Sequence, residues 1–406
     1  MRPAYEPTRD ASSARARSRW VLLAAGALLV LFAACAGTDD DGGAAPIPDG
    51  GAPEGSAIPD ARADDAEASA DVDAEAIRCS GELCLVDLPN AAVYGLTRWV
   101  FAGVVVDPVI GAWAIANGVD GDEAATAQVL HFEGGGWKVV HSARLAVSAE
   151  TKSVRLSSLA SDGQGHIVAV GTARSEPTGV ILRSDGQTFT VTAFDEDLRA
   201  VWASESSTFV AGGGGRIFRA EADGGWADES AETGDFLTIW GTGPDDLYVA
   251  GSKLDEDFGM SFGHIGHRAA GDAGAPAWSF QSFAPPAAPF PGLGEIGAGV
   301  TAGARRFFST REALASWKDD DGEPRWIYDE LKLPVPLRGF WARSQSEIWA
   351  VGEIGRVYRF DGTTWKDAFL VFNGAPLTAP LTAVGGTSAG EVFFVGDGVA
   401  LRRAAP

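Results

Sequence analysis

The chain has 406 residues, 46% of them hydrophobic, which is enough apolar side chain to bury a sizeable core. Its 52 glycines, 21 phenylalanines and 13 tryptophans suit many short strands joined by tight turns and argue against an all-helical protein. The formal net charge of -23 argues against a nucleic-acid partner, which needs Lys and Arg to displace phosphate counterions, and against attraction to an anionic membrane surface.

At the N-terminus, Arg15, Arg17 and Arg19 precede an apolar run from Trp20 to Ala34, which ends in Leu31-Phe32-Ala33-Ala34 directly before Cys35. This resembles a bacterial lipoprotein signal peptide, with Phe32 departing from the usual aliphatic residue. The resemblance implies removal of residues 1–34, lipidation of Cys35 and a membrane partner through that lipid. It also implies an exported chain anchored in the cell envelope, with Ala36 after the lipid site favouring the outer membrane. The other reading is an uncleaved anchor, but the apolar run is shorter than the roughly 20 residues of a spanning helix.

Residues 36–77 hold twelve acids against Arg62 alone and almost no large apolar side chain. Such a segment cannot offset its ordering entropy by burial, so 35–77 is expected to be a lipidated, disordered, acidic tether. Cys79 and Cys84 then remain, and an oxidising compartment favours a small disulfide loop between them. A metal pair is the weaker alternative, because two thiolates need two further ligands and no other Cys or His lies nearby in sequence.

From residue 78 to 406 one unit recurs: Leu156–Gly171, Leu198–Gly212, Phe236–Gly251, Glu295–Thr310, Leu337–Gly352 and Leu381–Gly396, with a divergent copy near Leu96. Periods near 40 residues with several strands each predict propeller blades. In the clearest copy, Leu337–Trp341 reads as strand a, Ile348–Val351 as b, Arg356–Phe360 as c and Trp365–Leu370 as d. Asp361-Gly362 supplies the positive φ of the c–d turn. Trp202, Trp240 and Trp341 share the fifth position and are expected to pack between blades. The last copy ends without a strand d, so the segment Cys84–Asn90 is expected to supply it. The predicted fold is all-β: a seven-bladed β-propeller of four-stranded blades, closed three-plus-one by an N-terminal strand.

The units Leu337–Trp365 and Phe236–Gly251 carry a resemblance to BNR-like and photosystem II assembly factor-like propeller repeats. These occur in bacterial surface lipoproteins, often of unassigned function, and the resemblance spans about residues 82–406. The turn from Asp361 to Trp365 is similar to a sialidase Asp box but shorter, and that box is structural.

Three short motifs carry little. Gly259-Met260-Ser261-Phe262-Gly263 matches a nucleophile elbow but lies between strands, where no helix follows the serine. Gly292–Gly297 spells G-x-G-x-x-G without a helix to receive a pyrophosphate. His264-Ile265-Gly266-His267 would place its two imidazoles on opposite faces of a strand, which disfavours a metal pair.

Longer insertions fall between strands b and c of the first and fourth blades, at 117–128 and 252–262, and between d and a at 284–293. In a propeller these connections share one face, and long loops on a rigid scaffold carry binding. Asp120, Asp122 and Glu123 in one loop, and Asp255, Glu256 and Asp257 in the other, suit a basic partner or Ca²⁺, although a solvated loop tip is the commoner meaning of such runs. Phe258, Phe262 and Phe290 would be apolar neighbours for a ligand or would pack the loop down. The expected function is non-catalytic binding or scaffolding of a protein or glycan, without a cofactor. The alternative is a glycan hydrolase or lyase using channel-mouth carboxylates.

Overall fold

In the computed structural model, the structure describes residues 78–120, 123–147, 150–173, 179–230, 232–270, 276–283, 294–320, 323–329 and 336–405. Cys35, expected to be the lipid site, the expected signal segment and tether, Asp122 and the 284–293 insertion lie outside the described residues.

Seven sheets form the blades. Blade 1 comprises Arg98–Asp107, Gly111–Asp120, Glu123–Glu133 and Gly136–Ser142. Blade 2 comprises Glu150–Ser161, Ile167–Ala173, Gly179–Ser184 and Phe189–Phe194, and Arg144–Val147 pairs with the start of its inner strand. Blade 3 comprises Leu198–Ser204, Ser207–Gly212, Ile217–Ala220 and Trp226–Asp228. Blade 4 comprises Asp235–Gly243, Asp246–Asp255, Met260–Ala270 and Pro276–Ser282. Blade 5 comprises Ala298–Ala302, Arg305–Ser309, Leu314–Asp320 and Glu323–Asp329. Blade 6 comprises Leu337–Ser344, Glu347–Gly352, Val357–Phe360 and Trp365–Ala368. Blade 7 takes Leu381–Gly386, Val392–Gly396 and Ala400–Arg403 from the C-terminus. Each inner strand neighbours the inner strand of the next blade, and that of blade 7 meets that of blade 1, so the ring is closed.

The fourth strand of blade 7 comes from the other end of the chain. Leu83–Leu85 pairs antiparallel with Ala400–Arg403, placing Cys84 opposite Arg402 and Leu85 opposite Leu401. This strand is shorter than the expected Cys84–Asn90 and begins one residue earlier. The ladder stops where its partner strand begins: the Val86 amide donates to the Ala400 carbonyl, the next residue, Asp87, accepts from the Trp137 amide of blade 1, and Asn90 then caps a 3₁₀ turn over Ala91–Tyr94 through its side chain. Cys79–Ser80 adds a fifth strand outside it, joined by the Cys79–Cys84 disulfide.

Packing follows the two faces of each blade. Ile348, Ala350 and Tyr358 face blade 5, whereas Trp349, Val351 and Val357 face blade 7, as alternation along a strand buried on both sides requires. The repeated tryptophans fill the gaps between inner strands. A Cβ on Gly299 of blade 5 would lie 2.5 Å from the Trp240 ring, and one on Gly386 of blade 7 would lie 3.0 Å from Trp341. Glycine at these positions is what lets the indoles close the ring. At the c–d turn, Gly362 takes φ 97° while Asp361 Oδ1 accepts from the amides of Thr363 and Thr364. These amide donors hold the Asp361 carboxyl far below its ordinary range, and the same arrangement at Asp185, with Thr188 and Gln187, lowers it to about 2.

Candidate functional site

One irregularity recurs in the inner strands and decides what the channel presents. In six blades the register slips after the first residue of the unit: between Phe101 and Gly103, Leu156 and Ser158, Leu198 and Ala200, Phe236 and Thr238, Leu337 and Gly339, and Leu381 and Ala383. The skipped residues are Ala102, Ser157, Arg199, Leu237, Arg338 and Thr382. A bulged residue has no cross-strand partner and is re-aimed out of the ladder. Ala102, Ser157, Arg338 and Thr382, with Gly297, line both of two stacked cavities and so form the waist between them.

The cavity at the a–b turn end has a volume of about 650 Å³ and is lined by the later halves of the inner strands, including Val104, Leu159, Ile239, Phe340 and Trp341. Its one lining carboxylate is Asp162, whose oxygens accept from the amides of Gln164 and His166 and pair with His166 Nδ1 at 2.8 Å. Nearby, the buried Asp107 is similarly engaged. Burial works to raise its pKa, but Ser161 Oγ and the amides of Val109, Ile110 and Gly165 outweigh it and hold the carboxyl below the usual range. Both carboxylates are thus engaged by the turns beside them.

The cavity at the opposite end, where strands a begin and strands b end, has a volume of about 390 Å³. Its charged lining is Arg155, Arg311, Arg338 and a single carboxylate, Glu295. Arg338 pairs with Glu353, whereas Arg155 and Arg311 are exposed and have no ion-pair partner among the described residues. Thus an acidic chain carries a cationic channel mouth. The aligned units already showed arginine at their second position, in Leu198-Arg199 and Leu337-Arg338, but the bulge brings only Arg338 to the channel, whereas Arg199 lines neither cavity and pairs with Asp197 and Asp235.

The glycosidase alternative requires two carboxyl groups about 5–10 Å apart in one pocket. Among the described residues each channel cavity is lined by one carboxylate, and the two lie on opposite sides of the waist. Nor does any group of three or more His, Cys, Asp or Glu come together as a metal site among the described residues.

The predicted binding loops have a form that their composition concealed. Residues 117–128 and 252–262 are largely ladder-paired extensions of strands b and c, not open loops. Asn117 pairs with Ala127 and Asp120 with Glu123, while in blade 4 pairing runs on from Ser252–Gly263 to Asp255–Met260. The blade 4 arm extends three residue pairs past the start of its inner strand at Asp235, or about 10 Å at roughly 3.4 Å per residue. Asp120 is exposed at the blade 1 tip, and Glu123 is placed opposite it in register. At the blade 4 tip, Glu256 and Asp257 are exposed and Asp255 is half-buried, its Oδ1 accepting from the amides of Asp257 and Phe258. Phe258 is 52% exposed, and its ring meets the buried Phe262 edge-on at 5.9 Å. Leu254 and Met260, which the sequence reading passed over, are 60% and 61% exposed on the same arm.

The His264-Ile265-Gly266-His267 segment packs within the blade. His264 is buried between Phe236 and Phe280, while His267 stacks on Tyr248 across the other face of the blade and contacts Asp246 through Nε2 at 3.0 Å.

No protein-family model matches the chain, and no curated protein matches it in sequence. Solved structures do match in shape. A YCF48 bound to D1 peptide is 14% identical with a TM-score of 0.56, covering 81% of this chain and 98% of that one. YCF48 from Cyanidioschyzon merolae is 14% identical with a TM-score of 0.52, covering 79% and 98%. The extracellular domain of the putative two-component system BT3049 from B. thetaiotaomicron is 12% identical with a TM-score of 0.56, covering 79% of this chain and 42% of that longer one. At these identities the likeness is one of fold, and the chain is a seven-bladed β-propeller with the architecture of the YCF48 propellers.

Proposed function

We propose that this chain is a non-catalytic binding propeller, held to the cell envelope by a lipid on Cys35, which engages a protein partner through the end where strands a begin. The observation that carries this reading is the asymmetry of the two ends. One end gathers the extended hairpins of blades 1 and 4 and a mouth whose Arg155 and Arg311 have no ion-pair partner among the described residues. At the other, the carboxylates beside the channel are taken up by turns. The binding of D1 peptide by a YCF48 propeller supports a polypeptide partner by analogy of fold. The anchor and the envelope location rest on the sequence Leu31–Cys35, which would leave residues 36–77 as the spacer.

The test places a photo-crosslinking amino acid at Arg311, or at Gln187 in a turn of the opposite end, in the full chain expressed in its native cell. Adducts from position 311 and none from position 187 are expected; the reverse pattern rejects the reading. For the anchor, Cys35→Ser should abolish labelling by a palmitate analogue, and persistent labelling would reject it.

A further inference from the structure

The blade 4 hairpin has a property that the ring does not require of it. A propeller blade is complete once its strands span the core, yet this hairpin continues beyond the inner strand and spends the added length on apolar side chains in water. Leu254, Phe258 and Met260 are 60%, 52% and 61% exposed within seven residues of chain. Single exposed apolar residues are ordinary on protein surfaces, whereas this tip is apolar on both sides: Met260 shares its face with Phe262, which Phe258 meets, and Leu254, paired with Ser261, lies on the other, as suits an arm whose end is inserted into a partner.

The arm is preorganised. The ladder holds as far as Asp255–Met260, the Gly259 amide donates to the Asp255 carbonyl at 2.8 Å, and Asp255 Oδ1 takes the amides of Asp257 and Phe258. Phe258 has an edge-on contact with Phe262, which reduces the side-chain freedom that it would lose on binding. Around these apolar groups stand Asp255, Glu256 and Asp257, and none of them forms an ion pair with a cation among the described residues.

We propose that the tip of the blade 4 hairpin is the anchor of the interface, and that it fits a protein surface with an apolar pocket rimmed by Lys and Arg. Charge selects this occupant: three carboxylates disfavour an anionic bilayer and would face the same three carboxylates in a second copy. The inference rests on the reading that this end of the propeller binds protein, and adds which residues anchor it and the chemistry they meet.

The test uses the full chain and arrays of random 15-residue peptides. Peptides retained by the wild type should be enriched in Lys and Arg together with Leu, Phe or Trp. The triple variant Leu254→Ser, Phe258→Ser, Met260→Ser should weaken them at least tenfold. Glu256→Gln with Asp257→Asn should weaken them about threefold and reduce the salt dependence, with unchanged near-UV circular dichroism in each case. Retained peptides that lack this bias, or that bind the triple serine variant equally, overturn the proposal. So do a concentration-dependent dimer dissolved by Phe258→Ser and flotation with zwitterionic vesicles lost on the same change. Peptides that ignore the tip but require Arg155 and Arg311 would overturn the anchor while leaving the binding end intact. Peptides indifferent to both would overturn both.

Discussion

The seam that closes blade 7 and the hairpin that leaves blade 4 are built on opposite principles. At the seam, Glu347 is buried and meets Arg343 at 2.7 Å, Arg403 at 3.2 Å and Arg359 at 3.3 Å. Glu82, in the turn of the disulfide hairpin, meets Arg403 at 2.6 Å and Arg359 at 3.5 Å, and both guanidiniums lie over the Trp349 ring. Three segments far apart in sequence are thereby tied by one charge network. At the blade 4 tip, by contrast, the apolar groups face water and the exposed carboxylates Glu256 and Asp257 face no cation among the described residues. The difference teaches that the seam spends its polar groups on the ring itself, whereas the arm leaves its groups available to something else.

This contrast can be broken in order of expected effect. Glu347→Ala should be the most damaging, because it removes the buried carboxylate that Arg343, Arg359 and Arg403 share and leaves only Glu82 to the last two; a loss of about 3 kcal/mol is expected by denaturant unfolding. A loss below about 1 kcal/mol would show that the network is dispensable to the ring. Next, replacing Cys79 and Cys84 by Ser frees a six-residue loop, for about 2 kcal/mol by chain-entropy reasoning. Faster hydrogen exchange should then appear in residues 79–85 and 400–403 and nowhere near blade 4.

The third test is pH. Burial lowers the pKa values of His264 and His141 below the ordinary imidazole value. The unfolded chain therefore binds more protons than the native one as pH falls through about 6.5, so native stability should decline between pH 7 and 5. His264→Phe should flatten that decline, and an unchanged slope would assign it elsewhere. The smallest expected change is in the tip itself: Leu254→Ser, Phe258→Ser and Met260→Ser together should move stability by only about 0.5 kcal/mol each way. A larger loss would mean that the arm belongs to the core after all.

Much of the fold could be read in the chain. The repeat and its tryptophans were visible because strands buried on both faces impose the same apolar run in each blade, as in Ile348–Val351 and Leu247–Ala250. The orphan strand could be anticipated because blade 7 ends with Ala400–Arg403 and leaves an edge that needs a partner. The form of the blade 4 insertion was hidden. Its acids and Gly259 read as an open loop, but Leu254–Asp255 and Met260–Ser261 pair because the ladder beneath them was already in register. Of the arginines of the channel mouth only Arg338 fell within an aligned unit, while Arg155 and Arg311 lie just outside the units Leu156–Gly171 and Glu295–Thr310, and the bulge that aims Arg338 has no sequence mark beyond the position it shares with Arg199.

The sequence by itself determined the period, the strand order within a blade and the tight turns, because each depends on neighbours a few residues away. The disulfide was within its reach for the same reason. Only the tertiary structure decided which residue of each inner strand faces the axis, which arginines remain unpaired and which apolar groups stay in water. Those outcomes depend on where chain segments hundreds of residues apart come to rest. Arg403 finds Glu82 across a separation of 321 residues, while Arg155 and Arg311 share a cavity and find no such partner among the described residues.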